Sequence, residues 1–379
     1  MEIETPTPVQ TQAIPPLLEG RDVIGQACTG SGKTLAFGLP LVERIEAKAK
    51  YPQALVLCPT RELAQQVGGV LKQLIAGTGI KSTVVFGGRA IGPQADALRQ
   101  GVQIVVATPG RLLDLLERGA LRLDRISFVV LDEADEMLDR GFAPDVQRIL
   151  AQCPKDRQTA LFSATTPDWV HQVSAKYLKD PVVIAVASQD GEEPDIDHVV
   201  YEVWGGDKLA VLRKLLDEPT VGATLVFRRT KRGVRNLCDK LVRLGYHVDA
   251  LEGDLHQQRR DSVLKKFRSG ETRILVATNL AARGLDVLHI ERVINYELPE
   301  TFELFTHRVG RTGRMGRSGR AITLLGAEDL PKWHEIERGL DRRFPRMTAN
   351  GELLAPPPPA PRGVGGRRSY GRRGSLSRR

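Results

Sequence analysis

Eight residues near the start of the chain, Ala27-Cys28-Thr29-Gly30-Ser31-Gly32-Lys33-Thr34, have the types and spacing to grip phosphates. Glycines let backbone N–H groups wrap phosphate oxygens, and a helix opening at this point adds the positive end of its dipole. Thr29, Gly30, Ser31 and Gly32 form the loop, Lys33 neutralises the outer phosphates, and Thr34 ligates Mg²⁺. Further on, Val129-Val130-Leu131 runs into Asp132-Glu133-Ala134-Asp135. Acids at the C-terminal end of a strand sit where α/β sheets hold ligands. Asp132 is suited to orient Mg²⁺ and Glu133 to polarise an attacking water. A third cluster is His307-Arg308-Val309-Gly310-Arg311-Thr312-Gly313-Arg314. If it starts as a helix, Arg308 and Arg311 share a face. Arginines from a distant part of the chain would stabilise charge on a transferring phosphoryl group.

These clusters need strands that end where the chemistry happens. Apolar, β-branched runs occur at 22–24, 54–58, 82–86, 102–107, 128–131, 159–162 and 182–186, with amphipathic stretches between most of them. The same grammar restarts at 199–203 and continues at 223–227, 247–251, 273–277, 292–296 and 321–325. Strands alternating with helical patterns predict parallel sheets covered by helices, an α/β fold in two domains. Between the halves, Ser188-Gln189-Asp190-Gly191-Glu192-Glu193-Pro194-Asp195 reads as a hinge. The expected layout is a first domain at 1–187, a linker at 188–196, a second domain at 197–345 and a tail at 346–379. The tail holds four consecutive prolines, Pro356–Pro359, then Gly, Arg and Ser, a composition expected to be disordered.

The formal net charge of +9 suggests a polyanionic partner. Seven arginines lie between Ala355 and Arg379 with no acid among them, so the rest of the chain carries only +2. Charge alone is therefore weak support for nucleic acid, although the tail is expected to add salt-dependent RNA affinity. Cys28, Cys58, Cys153 and Cys238 are scattered, which suggests neither a zinc site nor a disulfide framework. No apolar run reaches the roughly 18 residues of a membrane span. A reducing cytoplasm is the expected setting.

Asp132-Glu133-Ala134-Asp135 is the signature of the DEAD-box RNA helicases, and other motifs resembling that family follow in order from Thr5 to Leu325. The resemblance implies two RecA-like parallel-sheet domains in tandem. It also implies an RNA-stimulated ATPase that uses ATP and Mg²⁺ to unwind RNA locally; oligomeric state is not readable from the sequence, and a monomeric core is the expectation. Thr5-Pro6-Thr7-Pro8-Val9-Gln10 looks like the Q motif, which puts Gln10 at the adenine edge, where an amide offers both a donor and an acceptor. Pro59, Thr60 and Arg61, then Gly87 and Gly88, then Thr108, Pro109, Gly110 and Arg111, resemble RNA-backbone motifs. Gln257, Arg260 and Thr278 match RNA-contacting positions of the second domain. Asp286 matches the ribose contact. Ser163 and Thr165, with Asp135 and His307, match the elements that couple hydrolysis to RNA, and Arg311 and Arg314 match the γ-phosphate arginines.

Three departures stand out. The family's aromatic residue upstream of Gln10 has no counterpart, because the sequence begins four residues before Thr5; the expectation is either a truncated sequence or a weaker adenine site with a raised KM for ATP. Asn279 replaces the usual Asp after Thr278, from which we expect altered coupling. Cys28 sits inside the phosphate loop, where a helix N-terminus can lower a thiol's pKa, although an inert small residue is the expected role. Two alternatives stand beside the RNA helicase: a DNA helicase or translocase, and a non-catalytic RNA clamp. RNA against DNA stimulation of ATPase separates the first. A Lys33→Ala chain that kept full function would favour the second.

Overall fold

The computed structural model describes residues 5–27, 30–166, 168–186, 195–282, 285, 287, 289–313 and 317–354. The first domain contains β1 (Val23–Gln26), β2 (Ala54–Leu57), β3 (Ser82–Val85), β4 (Ile104–Ala107), β5 (Phe128–Leu131), β6 (Gln158–Ser163) and β7 (Val182–Ala185). The second contains β8 (Ile196–Glu202), β9 (Ala223–Arg228), β10 (Val248–Leu251), β11 (Ile274–Thr278), β12 (Ile290–Asn295), β13 (Gly319–Leu325) and β14 (Arg346–Thr348). Their spatial orders are β3-β4-β2-β5-β6-β1-β7 and β10-β11-β9-β12-β13-β8-β14. Adding seven to each label of the first order gives the second. The halves are thus one topology used twice, which residue spacing alone did not reveal. The strand pairs are parallel throughout, as the alternating strand–helix pattern predicts.

Both faces of the central strands are buried. On β2, Leu55 and Leu57 enter one core while Ala54 and Val56 enter the opposite one. On β5, Val129 and Leu131 divide from Phe128 and Val130 in the same way. Side chains alternate across a strand, so a continuous apolar run is what a sheet covered on both sides requires. This packing fixes the end of β5, and with it the acids that follow.

Two expected boundaries shift. β8 begins at Ile196, inside the segment expected to be linker. Its polar Asp197 and His198 hide the strand in sequence, yet the His198 ring lies 4.8 Å from that of Phe344. The second domain also runs past residue 345. β14 pairs with β8, and Arg346 is buried between Glu202 at 3.0 Å and Glu337 at 3.2 Å. The first residues of the expected tail therefore close the second sheet. Residues 355–379 and 187–194 lie outside the described residues.

Candidate functional site between the two lobes

The phosphate loop follows β1, and helix Lys33–Glu43 opens directly from it. Gly30 and Gly32 take φ of 90° and 92°, a left-handed conformation that favours glycine. Gly32 has a second constraint: a Cβ there would lie 2.6 Å from Gln10 Nε2. Gln10 reaches this spot from helix Pro8–Leu18. Its Oε1 accepts from Thr7 N at 2.9 Å and its Nε2 donates to Gly32 O at 3.2 Å. The Q-motif segment and the phosphate loop are therefore one unit. Lys33 is buried and donates to Ala27 O at 3.1 Å, and Thr34 follows it in the first helical turn.

Across the sheet, β5 delivers Asp132 and Glu133, both buried. Burial pushes the Asp132 carboxyl up to about 7, against the downward pull of Lys33 and with a further push from Glu133. Among the described residues its Oδ1 has no hydrogen-bond partner. A buried carboxylate oxygen left bare is costly unless a cation meets it. That donor chemistry fits Mg²⁺ held by Asp132 and the Thr34 hydroxyl. Glu133 holds φ 53°, ψ 57°, a left-handed conformation uncommon for a non-glycine residue and of the kind that clusters at active sites.

Asp135 is the hub of this region. Its Oδ2 accepts from Ala164 N at 3.2 Å, Thr165 N at 2.9 Å and Thr165 Oγ1 at 2.9 Å, while Oδ1 accepts from Glu136 N at 3.0 Å. Ser163 Oγ in turn accepts from Asp135 N at 3.2 Å. The second lobe enters here, with His307 Nε2 lying 3.8 Å from Asp135 Oδ2.

Helix Phe302–Val309 carries His307 and leads to Arg311. Arg311 donates to His307 O at 3.1 Å and Leu285 O at 3.2 Å. Both of these bonds stay within the second lobe, and so do those of Arg308. Arg308 is buried over the Phe227 ring, with 4.9 Å to the ring centre, and donates to Asn279 Oδ1 at 2.5 Å and Asn295 Oδ1 at 2.9 Å. Burial pushes its guanidinium down to about 9, against the pull of Glu297. Asn279→Asp would give this cation a carboxylate partner. We expect it to stabilise the second lobe by about 1–2 kcal/mol, read as a raised unfolding midpoint. An unchanged or lowered midpoint would show that the amide already satisfies Arg308.

A separate cleft of about 540 Å³ runs between the lobes. Pro59, Thr60, Arg61, Gly87, Thr108, Gly110 and Arg111 of the first lobe line it, facing Gln257 and Arg260 of the second. Arg61 donates to Gln257 and Arg260 pairs with Glu62, both across the lobes. Arg260 also donates to Ala281 O at 2.8 Å, and Arg140 to Leu280 O at 3.1 Å. The cleft thus gathers nine of the twelve expected RNA contacts. Gly88 instead lines an adjoining cleft, packed against Arg61. Pro109 is buried at the start of helix Pro109–Glu117. Thr278 is buried, and its Oγ1 accepts from Ala281 N at 3.3 Å. Glu62 and Arg140 were not among the expected site residues. Glu62 directly follows Arg61 in sequence, but its partner comes from the other lobe. Thr29, Asp286, Arg314 and the departure at Cys28 fall outside the described residues.

A phosphate loop, strand-end acids and an arginine-bearing second lobe of the same topology define a two-lobed α/β nucleotide-binding protein. Residues 7–173 match the family model "DEAD/DEAH box helicase" and residues 207–316 match "Helicase conserved C-terminal domain". The chain belongs to the DEAD-box helicase family. It is 43% identical over 347 residues to the DEAD-box ATP-dependent RNA helicase CshA of Geobacillus kaustophilus, covering 92% of this chain and 74% of that one. It is 45% identical over 353 residues to the ATP-dependent RNA helicase DeaD of Escherichia coli, covering 93% of this chain. It spans only 56% of that relative's length. In structure it resembles S. cerevisiae Dbp5 bound to RNA and ADP BeF3, with TM-score 0.84, 33% identity and coverage of 92% and 91%. Against a Dbp5 variant bound to Nup159, Gle1, IP6 and ADP the TM-score is 0.63, at 33% identity and coverage of 91% and 92%.

Proposed function

We propose that this chain is an ATP-dependent RNA helicase that couples ATP hydrolysis to local, non-processive RNA unwinding or remodelling of RNA–protein complexes. The observation that carries the reading is the pairing of two sites by one lobe contact. His307 meets Asp135 beside the phosphate loop, while Arg260 meets Glu62 in the polar cleft. Closing the lobes assembles both sites and opening them disassembles both. The likeness to Dbp5 bound to RNA and ADP BeF3 supports a core that holds RNA and nucleotide together.

In this reading Gln10 reads the adenine edge. Gly30, Ser31 and Gly32 cradle the phosphates, and Lys33 neutralises the outer ones. Glu133 orients the attacking water, while Arg311 and Arg314 meet the γ-phosphate after closure. Asp132 and Thr34 hold Mg²⁺, which supplies positive charge at the phosphate oxygens. The cleft residues hold RNA by its backbone, so sequence choice lies elsewhere. The core acts as a monomer in the cytoplasm. The free, buried thiols of Cys58, Cys153 and Cys238 suit a reducing compartment, and no described helix is long and apolar enough to cross a membrane.

The test is ATP turnover with single-stranded RNA, with DNA of the same sequence and with neither, alongside displacement of a short labelled RNA duplex. RNA should raise turnover at least about ten-fold and drive displacement only with ATP. Equal stimulation by DNA would favour a DNA translocase. No turnover with tight RNA binding would favour a clamp.

A further inference from the structure

At the opposite end of the first sheet, where β1, β5, β6 and β7 begin, lies a cleft of about 470 Å³. Four cations line it: Arg21, Arg44, Arg157 and Lys179. Among the described residues none of the four has an ion-pair partner. Arg157 is the most telling. It is 6% exposed, its Nη1 donates to Pro154 O at 2.7 Å, and its Nε has no hydrogen-bond partner among the described residues. A guanidinium buried to this degree ordinarily has a carboxylate beside it, because an uncompensated buried charge is expensive. Its flank is instead the Tyr177 ring, 5.9 Å away.

The acids on the same cleft do not fill that role. Asp22 accepts from Thr159 N at 2.7 Å and Lys179 N at 2.6 Å, so both its oxygens serve the backbone. Asp156 and Asp180 are exposed. The wall itself is rigidly built. Gln158 Nε2 donates to Leu17 O at 2.9 Å and Arg21 O at 2.7 Å, and Arg44 donates to Leu18 O at 3.2 Å. These bonds take up carbonyls at the end of helix Pro8–Leu18 and in the segment just after it, which would otherwise repel an anion. Gln158 Oε1 is buried without a hydrogen-bond partner among the described residues. It is an acceptor suited to the hydroxyl of a monoprotonated phosphate.

We propose that this cleft is a second anion site that binds a small oligophosphate, distinct from the phosphate loop at the other end of the sheet. Arg157 and Arg44 supply forked donors matched to phosphate oxygens, and Lys179 and Arg21 supply charge at the rim. The proposal does not depend on the helicase reading.

The experiment is calorimetric titration of the full chain with inorganic pyrophosphate at fixed ionic strength, after the phosphate loop has been saturated with Mg-ADP. One further binding event is expected. The double variant Arg44→Gln/Lys179→Gln changes only groups at the cleft wall and rim, and should weaken that event at least about ten-fold. Arg157→Gln tests the buried donor, with a thermal scan to check folding. RNA with a 5′-diphosphate, titrated against the same RNA with a 5′-hydroxyl, separates an RNA end from a free anion as the source. A 5′-dependent gain lost in the double variant assigns the RNA end. Binding of pyrophosphate alone assigns the free anion. No further event, or equal affinity in native and double-variant chains, overturns the proposal.

Discussion

Replacing Glu133 by Gln is expected to lower RNA-stimulated ATP turnover by about 10²–10⁴-fold, the range that loss of a positioned general base produces. The substitution keeps the size of the side chain and removes its charge and basicity. Glu133 follows β5 in a left-handed backbone conformation, so its placement is fixed by the strand and by the helix Ala134–Asp139 that it caps. Gln should inherit that placement. Nucleotide affinity is therefore expected to stay within a few-fold of the native chain, because the groups assigned to phosphate binding, Lys33 and the glycine loop, are untouched. The measurement is steady-state turnover with saturating RNA, paired with equilibrium binding of a non-hydrolysable ATP analogue. Retained turnover would remove Glu133 from the reaction. Lost turnover with equally lost binding would make its role structural.

Much of the architecture was legible because its causes are local. Runs such as 54–58 and 128–131 are apolar on both faces, and only a strand covered on both sides uses such a run. The phosphate loop was legible for the same reason: two of its glycines take a backbone conformation that few other residues accept. What escaped depends on partners far away in sequence. β14 is three residues long, and its Arg346 is held by Glu202, which lies 144 positions earlier. Glu62 gains its role from Arg260, 198 positions away. Helical spacing put Arg308 and Arg311 on one face. It could not show that Phe227, Asn279 and Asn295 would bury the first of them. Thr278 matched an RNA motif, and sequence could not show that its hydroxyl also accepts from Ala281 N in the helix that follows β11.

Asp135→Asn should have the second large effect, and of a different kind. Both carboxylate oxygens act as acceptors, one from Glu136 N and the other from three donors of the Ala164–Thr165 turn. An amide has one acceptor oxygen, so in either orientation its NH₂ faces a donor. The first lobe is expected to lose about 2–4 kcal/mol, since the bonds are buried and charge-assisted. It should unfold at lower temperature, as an early transition of the two-lobed chain. RNA-stimulated turnover should fall at least about ten-fold, because the turn would no longer be held towards His307. Stability loss alone could also lower turnover, so the two effects must be separated. His307→Ala removes the second-lobe side of the 3.8 Å contact and leaves the hydrogen bonds of the first lobe intact. It should reduce RNA stimulation without shifting the first-lobe transition. In a double-mutant cycle on turnover, the pair should couple by at least about 0.5 kcal/mol. If Asp135 only braces its own lobe, the two losses will simply add. Coupling between them would mean that the carboxylate transmits lobe closure to the hydrolytic site.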